Sequence, residues 1–474
     1  MPNYLRPIDD LHVPLKDYQL LAKDFILQRP GGGLFLDCGL GKTLITLMIL
    51  YQINSPGHTL IIGPKPVVRA GWINEIKKWN LPMRTKSFIV NDKDKELSRK
   101  QRLELYKEMP YEPPTIYFIN RELVGDLIKN TTGNKKPLLW YFPTVICDEL
   151  QSFKSYKAQR FKAMQTVRPA FTKFIGLTGT PTPDSLLDLW SEIYLMDGGA
   201  RLGPNITSFR NAFFHPTLYV NNHPVDWEPN DYAESIIYQK ISDLVISMKN
   251  TLLNLPPITY NDVMVPLDED DKALYKKLVK EQVLEFEGVG RVVAKNRAVL
   301  YAKLVQLAAG TLYVNDSHEF TIVHRHKLEQ AEYIINNTPS PVIIAYHFQS
   351  DRKMLLDYFP QAKAFDNTAK MIDDWNAGKI PVLLLQPASS SQGLNLQEGG
   401  HTLIWYSMIP NLENYLQTIA RIYRQGQTQP VVIHHLLTEG TIDTRTLRAL
   451  QQKNMNEENL LEAVRVAIDD AMSN

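Results

Sequence analysis

Short apolar runs that end in polar loops recur along the first part of the chain, and amphipathic stretches separate them. The runs are "GLFLDC", "HTLIIGP", "TVICDE" and "KFIGLTGTP", and the amphipathic stretches include "RAGWINEIKKW" and "KAQRFKAMQTV". Buried strands that alternate with helices predict an α/β protein with a parallel sheet covered on both faces. Ligands bind such sheets at the carboxyl ends of the strands, so a functional site is expected in the polar loops.

The same alternation returns late in the chain. "PVIIAYHF", "PVLLLQPAS", "HTLIWYS" and "PVVIHHLL" are four further strand candidates, and they predict a second α/β domain. The predicted organisation is a first domain over 1–200, a connecting region over 201–325, a second domain over 326–445 and an amphipathic C-terminal helix over 446–474.

The connecting region is predicted to contain loops and helices. "HPTLYVNNHPVDWEPND" is rich in Pro and Asn and is predicted to be a loop. "LPPITY" at 255–260 is predicted to be a connector and hinge, because two prolines disfavour both a helix and a central strand. The segment from 267 to 310 is predicted to be helical, and it begins with acidic residues that suit a helix N-terminus.

Charge and cysteine content narrow the class of protein. With 52 basic and 51 acidic side chains the net charge is near +1, so any polyanion site has to be a local patch. Two cysteines do not build a disulfide framework and fit a reducing compartment. The start "MPNYLRPIDD" lacks the pattern of a signal peptide, and no apolar run is long enough to span a bilayer. We expect a soluble, cytoplasmic protein without a membrane partner.

The stretch "LFLDCGLGKTLITLMIL", residues 34–50, interrupts two apolar runs with a tight glycine turn. Gly39 and Gly41 let backbone N–H groups crowd around an anion, and Lys42 and Thr43 open a run that looks helical. A helix N-terminus with a lysine and a hydroxyl is a phosphate cradle. The full GxxxxGK[ST] pattern is incomplete because Leu36 stands at its first glycine, so the rest of the chain has to supply what a phosphate needs.

A nucleoside triphosphate site also needs acidic groups, and "TVICDELQ" supplies them at the end of an apolar run. Asp148 is predicted to hold Mg²⁺, and Glu149 is predicted to polarise the attacking water as the general base. The alternative is an ordinary exposed acidic turn.

Two threonines, Thr178 and Thr180, flank a glycine in "GLTGTPTPDSLLDLW" at the end of a predicted strand. Their hydroxyls could bridge the acidic pair to a group beyond the nucleotide. The alternative is a tight turn that caps a helix, with Asp184 or Thr182 as the N-cap residue. The two interpretations are compatible.

Two arginines stand three residues apart in "YLQTIARIYRQGQTQPV". Arg421 and Arg424 are predicted to share one face of a short helix, with Gln417 one turn earlier. Paired arginines are usually solvated charge, but a γ-phosphate in transfer needs planar, always-charged donors, and an arginine finger is worth about 10³ to 10⁵ in rate. Arginines supplied from a second domain would make hydrolysis depend on domain closure, as in a motor.

Other conspicuous residues are predicted to be structural. Cys38 and Cys147 flank the two nucleotide motifs and are interpreted as small apolar fillers. His434 and His435 lie in an apolar strand and are predicted to be hydrogen-bonded there or to face the sheet edge, with metal ligation as the alternative. Four tryptophans are predicted to be core or rim aromatics, the last with nucleic-acid contact as its alternative: Trp72, Trp79, Trp190 and Trp405.

These motifs, in this order, resemble those of the superfamily-two helicases and translocases, specifically the Swi/Snf-type ATPases. "LKDYQ" resembles the Q motif, "CGLGKT" the phosphate loop, and "PKPVVRAGWINEIKKW" the motif that follows it. "DELQ" stands at the DEAH box, and "LTGTPTPDSLLDLWSEIYLM" resembles motif III. "LPPITYNDVMVPLDEDDKALY" resembles the stretch that joins the lobes, and "SSSQGLNLQEGGHTLIWYSMIPNLENYLQTIARIYRQGQ" resembles motifs V and VI.

The resemblance implies two RecA-like parallel-sheet lobes in tandem with a helical connecting region, and it implies ATP and Mg²⁺. Gln19 would read the adenine edge, and Thr43 and Asp148 would hold the metal. The implied nucleotide-binding residues are Gln19, Gly39, Gly41, Lys42, Thr43 and Gly393. The implied catalytic residues are Lys42, Asp148, Glu149, Arg421 and Arg424.

The chain departs from the family pattern in two motifs. Ser390 and Ser391 replace glycines that are usual in motif V. Gln151 replaces the histidine of DEAH, which is predicted to change contacts across the lobe interface and not the metal or the base. The resemblance favours a compact phage or bacterial DNA motor, in the host cytoplasm if phage-encoded, and disfavours work on nucleosomes.

The resemblance also implies that DNA crosses both lobes opposite the ATP cleft. Loops at strand ends supply cations, hydroxyls and amides that suit phosphate contacts without base readout. The candidate contacts are Lys65, Arg69, Asn120, Arg121, Thr178, Thr180, Ser390 and Ser391.

The expected function is an ATP-dependent DNA translocase or helicase, a DNA-stimulated ATP hydrolase. Two alternatives stay open. One is an RNA-directed helicase, although the sequence offers no RNA-binding module. The other is a nucleotide-gated DNA clamp that does not move, which would not need the complete set of hydrolytic residues.

Overall fold

The structure is a computed structural model that describes residues 6–7, 11, 13–37, 39–132, 140–179, 186–220, 223–248, 255–287, 294–314, 319–387, 395–408 and 411–451. In this part of the chain the residues up to Met248 form one compact unit, the N-terminal unit, and those from Leu255 onward form a second, the C-terminal unit.

The N-terminal unit is built on a parallel sheet. Apolar runs form its inner strands because both faces are covered by helices. Its seven strands are β1 (Gly31–Leu36), β2 (Thr59–Gly63), β3 (Thr85–Ser87), β4 (Ile116–Asn120), β5 (Thr144–Asp148), β6 (Lys173–Thr178) and β9 (Val245–Met248). Their order is β3-β4-β2-β5-β6-β1-β9, and the pairing is parallel throughout. The loops after β1 and β5 therefore lie at the same edge of the sheet, with β6 between them.

Helices cover this sheet on both sides. They are α1 (Asp17–Leu27), α2 (Lys42–Ile53), α3 (Trp72–Lys78), α4 (Arg99–Glu108), α5 (Val124–Thr132), α6 (Gln159–Val167), α7 (Leu189–Asp197), α8 (Ile206–Phe213) and α9 (Ala233–Ile241). Helix α7 approaches β1 so closely that a Cβ atom on Gly31 would lie 2.0 Å from the carbonyl oxygen of Met196. Only glycine fits at that position.

The predicted loop in "HPTLYVNNHPVDWEPND" is wrong. These residues form an antiparallel hairpin of β7 (Phe214–Val220) and β8 (His223–Pro229). Proline is tolerated here because both strands of an isolated hairpin are edge strands. The hairpin, α8, α9 and β9 all belong to the N-terminal unit, which therefore extends beyond residue 200.

The C-terminal unit is built on a second parallel sheet. Its strands are β10 (Ile258–Val265), β13 (Val342–Ala345), β14 (Ala362–Ala364), β15 (Val382–Leu385), β16 (Thr402–Trp405) and β17 (Val431–Thr438). Their order is β10-β17-β16-β13-β15-β14. A short antiparallel pair, β11 (Thr311–Tyr313) and β12 (Phe320–Ile322), lies apart from this sheet.

Seven helices in the described part of the chain belong to this unit. They are α10 (Glu269–Glu287), α11 (Ala294–Ala309), α12 (His326–Asn336), α13 (Gln349–Tyr358), α14 (Ala369–Asn376), α15 (Leu412–Ile419) and α16 (Asp443–Gln451). The helices predicted over 267–310 are confirmed as α10 and α11. Of the predicted C-terminal helix over 446–474, residues 452–474 lie outside the described part.

The four strands predicted in this unit are confirmed as β13, β15, β16 and β17. The prediction that "LPPITY" is only a connector is wrong in its second half, because Ile258 begins β10. The two prolines precede the strand, and β10 lies at the edge of the sheet, where it pairs with β17 over eight residues.

Candidate nucleotide site and nucleic-acid surface

The loop between β1 and α2 has the geometry of an anion cradle. Gly39 and Gly41 have φ angles of +91° and +81°, in the left-handed region that favours glycine. Lys42 is the first residue of α2, so the unpaired backbone N–H groups of the helix N-terminus face the loop. The Lys42 ammonium donates to the carbonyl oxygen of Leu36 at 2.7 Å. Thr43, in the first turn, is half-buried.

Gln19 holds this loop from α1. Its side chain is buried, and its amide nitrogen donates to the carbonyl oxygen of Leu40 at 3.2 Å. Its amide oxygen accepts the backbone N–H of Lys16 at 3.0 Å. A Cβ atom on Gly41 would lie 2.5 Å from the Gln19 amide nitrogen, so the loop and Gln19 fit only with glycine there. Contact with the adenine edge remains a prediction for Gln19.

The acidic pair lies at the end of β5, and both side chains are buried: Asp148 is 7% exposed and Glu149 is 9% exposed. The alternative of an exposed acidic turn is therefore wrong. Glu149 has a φ of +54°, an uncommon backbone conformation for a residue with a Cβ atom, and such conformations concentrate at functional sites.

Two donors hold the Asp148 carboxylate. The indole N–H of Trp72 donates to Oδ2 at 2.9 Å, and the backbone N–H of Glu149 donates to Oδ1 at 3.1 Å. Burial raises the pKa of Asp148, while the Trp72 hydrogen bond and the positive charge of Lys42 oppose that rise. The structure thus brings the lysine of the phosphate loop and Asp148 within electrostatic reach of each other in one unit.

The Asp148 carboxylate and the Thr43 hydroxyl fit a magnesium ion by their chemistry. Each Asp148 oxygen accepts one donor, which leaves lone pairs on both, since an ionised carboxylate offers about four acceptor sites. A buried carboxylate whose pKa is raised by desolvation gains from a nearby cation, and the Thr43 hydroxyl and Asp148 supply the oxygen ligands that Mg²⁺ prefers. Asp148 and Thr43 are the residues that would hold it.

The prediction for Gln151 is wrong in one respect. Its side-chain amide donates to the Glu149 carboxylate, so this departure from the DEAH pattern does reach the candidate base. Leu150–Phe153 forms a 3₁₀ turn after Glu149, which places residue 151 against residue 149.

The predicted helical face for the arginine pair is also wrong. Helix α15 ends at Ile419, and both arginines lie in the turns that follow. The backbone N–H of Arg421 donates to the carbonyl oxygen of Thr418, three residues back, at 3.1 Å. The side chain of Arg421 is 6% exposed, and that of Arg424 is half-buried. Spacing of three residues suits a turn as well as a helix.

Gln427 organises this turn, and sequence reasoning missed it. Its amide nitrogen donates to the carbonyl oxygens of Gln397 at 2.9 Å and Ile422 at 3.2 Å. Its amide oxygen accepts the backbone N–H groups of Thr428 and Gln429. The available signal was the glutamine of "RQGQT" directly after Gly426, which has a φ of +100°.

The candidate nucleic-acid contacts of the N-terminal unit are paired with acidic residues. Lys65 binds Glu96 at 2.7 Å, and Arg69 forms a bidentate pair with Asp94, with both distances 2.8 Å. These four side chains are all partly exposed.

A third acidic residue, Glu122, pairs with Asn120, the last residue of β4, and with Arg121, which follows it. Glu122 accepts from Arg121 at 2.8 Å and from the Asn120 amide at 2.7 Å. Thr178 ends β6 and is buried. The remaining candidates lie outside the described residues: Thr180, Ser390, Ser391 and Gly393, together with the alternative N-caps Thr182 and Asp184.

Three of the residues predicted to be structural are fully buried: Cys147, His435 and Trp405. Cys147 is fully buried, and burial raises the pKa of its thiol; Cys38 lies outside the described part. His435 bonds Asp262 at 2.7 Å and the Tyr415 hydroxyl at 3.0 Å. Trp405 is fully buried and stacks on Tyr415, so its alternative as a nucleic-acid contact is wrong.

Comparison with known proteins gives the class of this architecture. The Pyrococcus furiosus Hef helicase domain superposes with a TM-score of 0.52 at 15% identity, over 95% of this chain and 100% of that domain. This likeness shows the fold, two RecA-like lobes in tandem, as the resemblance predicted.

Sequence comparison gives the family. Residues 19–308, more than half of the chain, match the SNF2-related domain. The protein p41 of Acyrthosiphon pisum secondary endosymbiont phage 1 is 30% identical over 95% of this chain and 98% of p41. Two further relatives are a Mycoplasma genitalium protein named as an ATP-dependent helicase (25% identical over 89% of this chain) and the human DNA repair and recombination protein RAD54B (23% over 92%).

The chain belongs to the SNF2-related family. It spans 39% of the length of the Mycoplasma relative and 52% of RAD54B. No helix among the described residues is both long and apolar enough to cross a membrane.

Proposed function

We propose that this chain is a DNA-stimulated ATP hydrolase that couples hydrolysis to movement along DNA. The observation that carries the proposal is the meeting, within the N-terminal unit, of a phosphate cradle and a buried acidic pair. Lys42 begins α2 at the cradle, and its charge acts on Asp148 at the end of β5. DNA is supported as the track by RAD54B, a relative named for DNA repair and recombination.

The phosphate loop binds the triphosphate of ATP. The N–H groups at the start of α2 bind phosphate oxygens, and the Lys42 ammonium exchanges the neutral carbonyl oxygen of Leu36 for the anionic oxygens of the β- and γ-phosphates. Asp148 and Thr43 hold Mg²⁺, which supplies charge neutralisation of the β- and γ-phosphates when bound. Gln19 fixes the loop through its hydrogen bond to Leu40.

Glu149 accepts the proton of the attacking water. Its left-handed backbone and the hydrogen bond from Gln151 fix the carboxylate at the carboxyl edge of the sheet, and a positioned base of this kind contributes about 10²–10⁴ in rate.

Arg421 and Arg424 of the C-terminal unit stabilise the charge on the transferring γ-phosphate. A guanidinium supplied by a second lobe makes hydrolysis conditional on the two lobes meeting over the nucleotide. Because each lobe binds the DNA backbone, cycles of closure and reopening then move the lobes along the DNA.

The rate of ATP hydrolysis with duplex, single-stranded and forked DNA and with RNA, measured side by side, tests the proposal. We expect strong stimulation by DNA and weaker stimulation by RNA. A triplex-displacement assay then distinguishes a motor, which removes the third strand with ATP, from a clamp, which does not. An ATPase rate that no DNA changes would overturn the motor assignment, and preferential stimulation by RNA would assign an RNA helicase.

A further inference from the structure

Trp72 contacts the candidate magnesium ligand although the proposed chemistry gives it no role. The indole is fully buried, and its N–H donates to Oδ2 of Asp148 at 2.9 Å. The other carboxylate oxygen is bound by the backbone N–H of Glu149, which is fixed by the chain. The indole is therefore the side-chain group that determines how the carboxylate is turned about its own axis.

The segment directly before Trp72 has unusual backbone geometry. Val67–Gly71 is a π-helical turn, and the backbone N–H of Trp72 donates to the carbonyl oxygen of Val67, five residues back. Such turns are rare and are frequently found at functional sites. Arg69 lies in the turn and Lys65 shortly before it, and both are candidate phosphate contacts on the surface.

The turn and Asp148 also share a neighbour, Gly63. A Cβ atom on Gly63, at the end of β2, would lie 3.1 Å from Cγ1 of Val68 and 3.2 Å from the Cβ atom of Asp148. Val68 and Asp148 thus both lie close to Gly63. A shift of the turn would reach the carboxylate through the indole hydrogen bond.

We propose that Trp72 is a positioning residue that orients the Asp148 carboxylate, and that the Val67–Gly71 turn makes this orientation depend on what Lys65 and Arg69 bind. The inference rests on the proposed function, because it takes DNA phosphate as the surface ligand and Asp148 as a magnesium ligand. DNA on this surface then strengthens binding of magnesium-nucleotide, and magnesium-nucleotide strengthens binding of DNA by the same factor.

Trp72→Phe tests the positioning role, since it keeps an aromatic ring and removes only the N–H donor and part of the ring. The readout is binding of a fluorescent ATP analogue titrated with Mg²⁺, which does not depend on turnover. We expect the Mg²⁺ concentration at half-maximal binding to rise about tenfold, as is typical when a partner of a metal ligand is lost.

Trp79→Phe is the matched control. The Trp79 indole, at the other end of α3, donates to the Glu75 carboxylate at 2.9 Å, so the variant loses the same kind of hydrogen bond away from Asp148. We expect Trp79→Phe to bind the fluorescent nucleotide with the same Mg²⁺ dependence as the wild type. If Trp72→Phe also titrates like the wild type, the positioning role is overturned.

The coupling is tested without altering Trp72. In the wild type, saturating DNA is expected to lower the Mg²⁺ concentration at half-maximal nucleotide binding several-fold. In the double variant Lys65→Gln/Arg69→Gln, the DNA concentration is raised until the variant is saturated with DNA. The Mg²⁺ concentration at half-maximal nucleotide binding is then expected to be the same with and without DNA. A full DNA effect in the double variant would overturn the coupling, as would no effect in a wild type that binds DNA.

A spectroscopic readout follows the indole itself. The chain has seven tryptophans, so the indole ¹⁵N–¹H resonance of Trp72 is identified as the one missing from folded Trp72→Phe. DNA alone is expected to shift it in the wild type and not in the double variant. If DNA neither binds nor stimulates the wild type, the proposed function fails; if DNA stimulates Trp72→Phe as fully as the wild type, only this inference fails.

Discussion

In the N-terminal unit two polar side chains bind the backbone of the phosphate loop and of the strand before it, whereas in the C-terminal unit a buried lysine and a buried aspartate bind each other. Gln19 donates to Leu40, and Lys42 donates to Leu36, so both contacts end on the backbone of the phosphate loop or the strand before it. In the C-terminal unit Lys327 and Asp443 are both fully buried and form an ion pair of 2.6 Å.

The two arrangements have different energetic consequences. Lys327 also donates to the carbonyl oxygen of Tyr406, and Oδ2 of Asp443 also accepts the backbone N–H of Thr438. The pair links α12 to α16. The Lys42 ammonium instead holds a neutral acceptor that an anion can replace. Under the proposed function, buried charge would serve chemistry in the N-terminal unit, whereas in the C-terminal unit it holds two helices together.

Glu149→Gln should give the largest change in rate at little cost in stability. The glutamine keeps the shape of the side chain but cannot accept a proton, so we expect kcat for ATP hydrolysis to fall about 10²–10⁴-fold while nucleotide binding persists. Phosphate release and equilibrium nucleotide binding measure the two effects. Lys42→Ala is the contrasting variant and is expected to lose binding. Equal turnover by Glu149→Gln and wild type would remove the assigned base.

Lys327→Met in the C-terminal unit should have the opposite effect, a large loss of stability. Removing one partner leaves the Asp443 charge buried without its cation, so we expect the free energy of unfolding to fall by about 3–5 kcal/mol. Denaturant titration measures it. Lys370→Met, which breaks an exposed pair with Asp374, is the control and should leave the midpoint unchanged.

Adding Asp443→Leu to Lys327→Met sharpens the test, because replacing both members of a buried pair by apolar groups is often neutral. Recovery of stability in the double variant is expected. If Lys327→Met alone is as stable as the wild type, the pair does not hold this unit together.

Because of His324, the stability of the C-terminal unit should fall as the pH is lowered from about 6.5 to about 4. Burial lowers its pKa from 6.5 to about 4, and the charge of Lys327 adds to the effect. The unfolded chain then binds the proton first as the pH falls, so stability present above pH 6.5 is lost toward pH 4. At about 1.4 kcal/mol for each pKa unit, the loss is about 3 kcal/mol.

The measurement is the difference between wild type and His324→Gln across this pH range. The difference is needed because Asp351, whose pKa burial raises to about 6, changes stability in the opposite direction. His223→Gln, at an exposed position of the β7–β8 hairpin, serves as the control and should follow the wild-type curve. Parallel curves for His324→Gln and wild type would contradict the prediction.

Gln151→Leu should lower kcat about tenfold, since a hydrogen bond to a charged group is worth about 1.5–3 kcal/mol. The KM for ATP should stay the same, because Gln151 contacts the base. Gln151→His supplies another N–H donor and should retain more of the rate. An unchanged kcat in Gln151→Leu would show that Glu149 does not depend on this contact.

The sequence identifies inner strands far better than edge strands. Inner strands such as β13 and β15 are continuous apolar runs, buried at every position, and were predicted. The edge strand β10 exposes most of its side chains, and β14 is the three residues Ala362–Ala364. Edge strands bury too few apolar side chains to produce the run that sequence reasoning depends on.

The candidate site also has residues that the sequence identifies and contacts that it does not. Residue types within one loop, such as Lys42 after two glycines or the Asp148–Glu149 pair, carry their own chemical signal. The contact between Trp72 and Asp148 joins residues that are 76 positions apart, and only the packing of α3 on the sheet brings them together. The pairing of Lys65 and Arg69 with acidic residues was missed for the same reason.

Asp94→Asn/Glu96→Gln should give the smallest effect, and in the direction of gain. The two carboxylates occupy Arg69 and Lys65 where DNA phosphates would bind, and surface ion pairs are weak enough to be exchanged. We expect the variant to bind duplex DNA a few-fold more tightly at low salt. The gain should shrink as salt rises, since the Debye length falls from about 10 Å at 0.1 M to about 3 Å at 1 M.

Asp92→Asn separates this competition from a general change of charge. It removes one charge from the same loop without removing a hydrogen bond to Lys65 or Arg69, so it should raise affinity less than either single variant of the pair. Fluorescence anisotropy with labelled duplex at several salt concentrations measures all of these constants. Equal gains for Asp92→Asn and Asp94→Asn would mean that only net charge matters. Unchanged or weaker binding in the double variant would mean that Lys65 and Arg69 do not bind DNA, and the contrast between exchangeable surface pairs and fixed buried ones would then not extend to this surface.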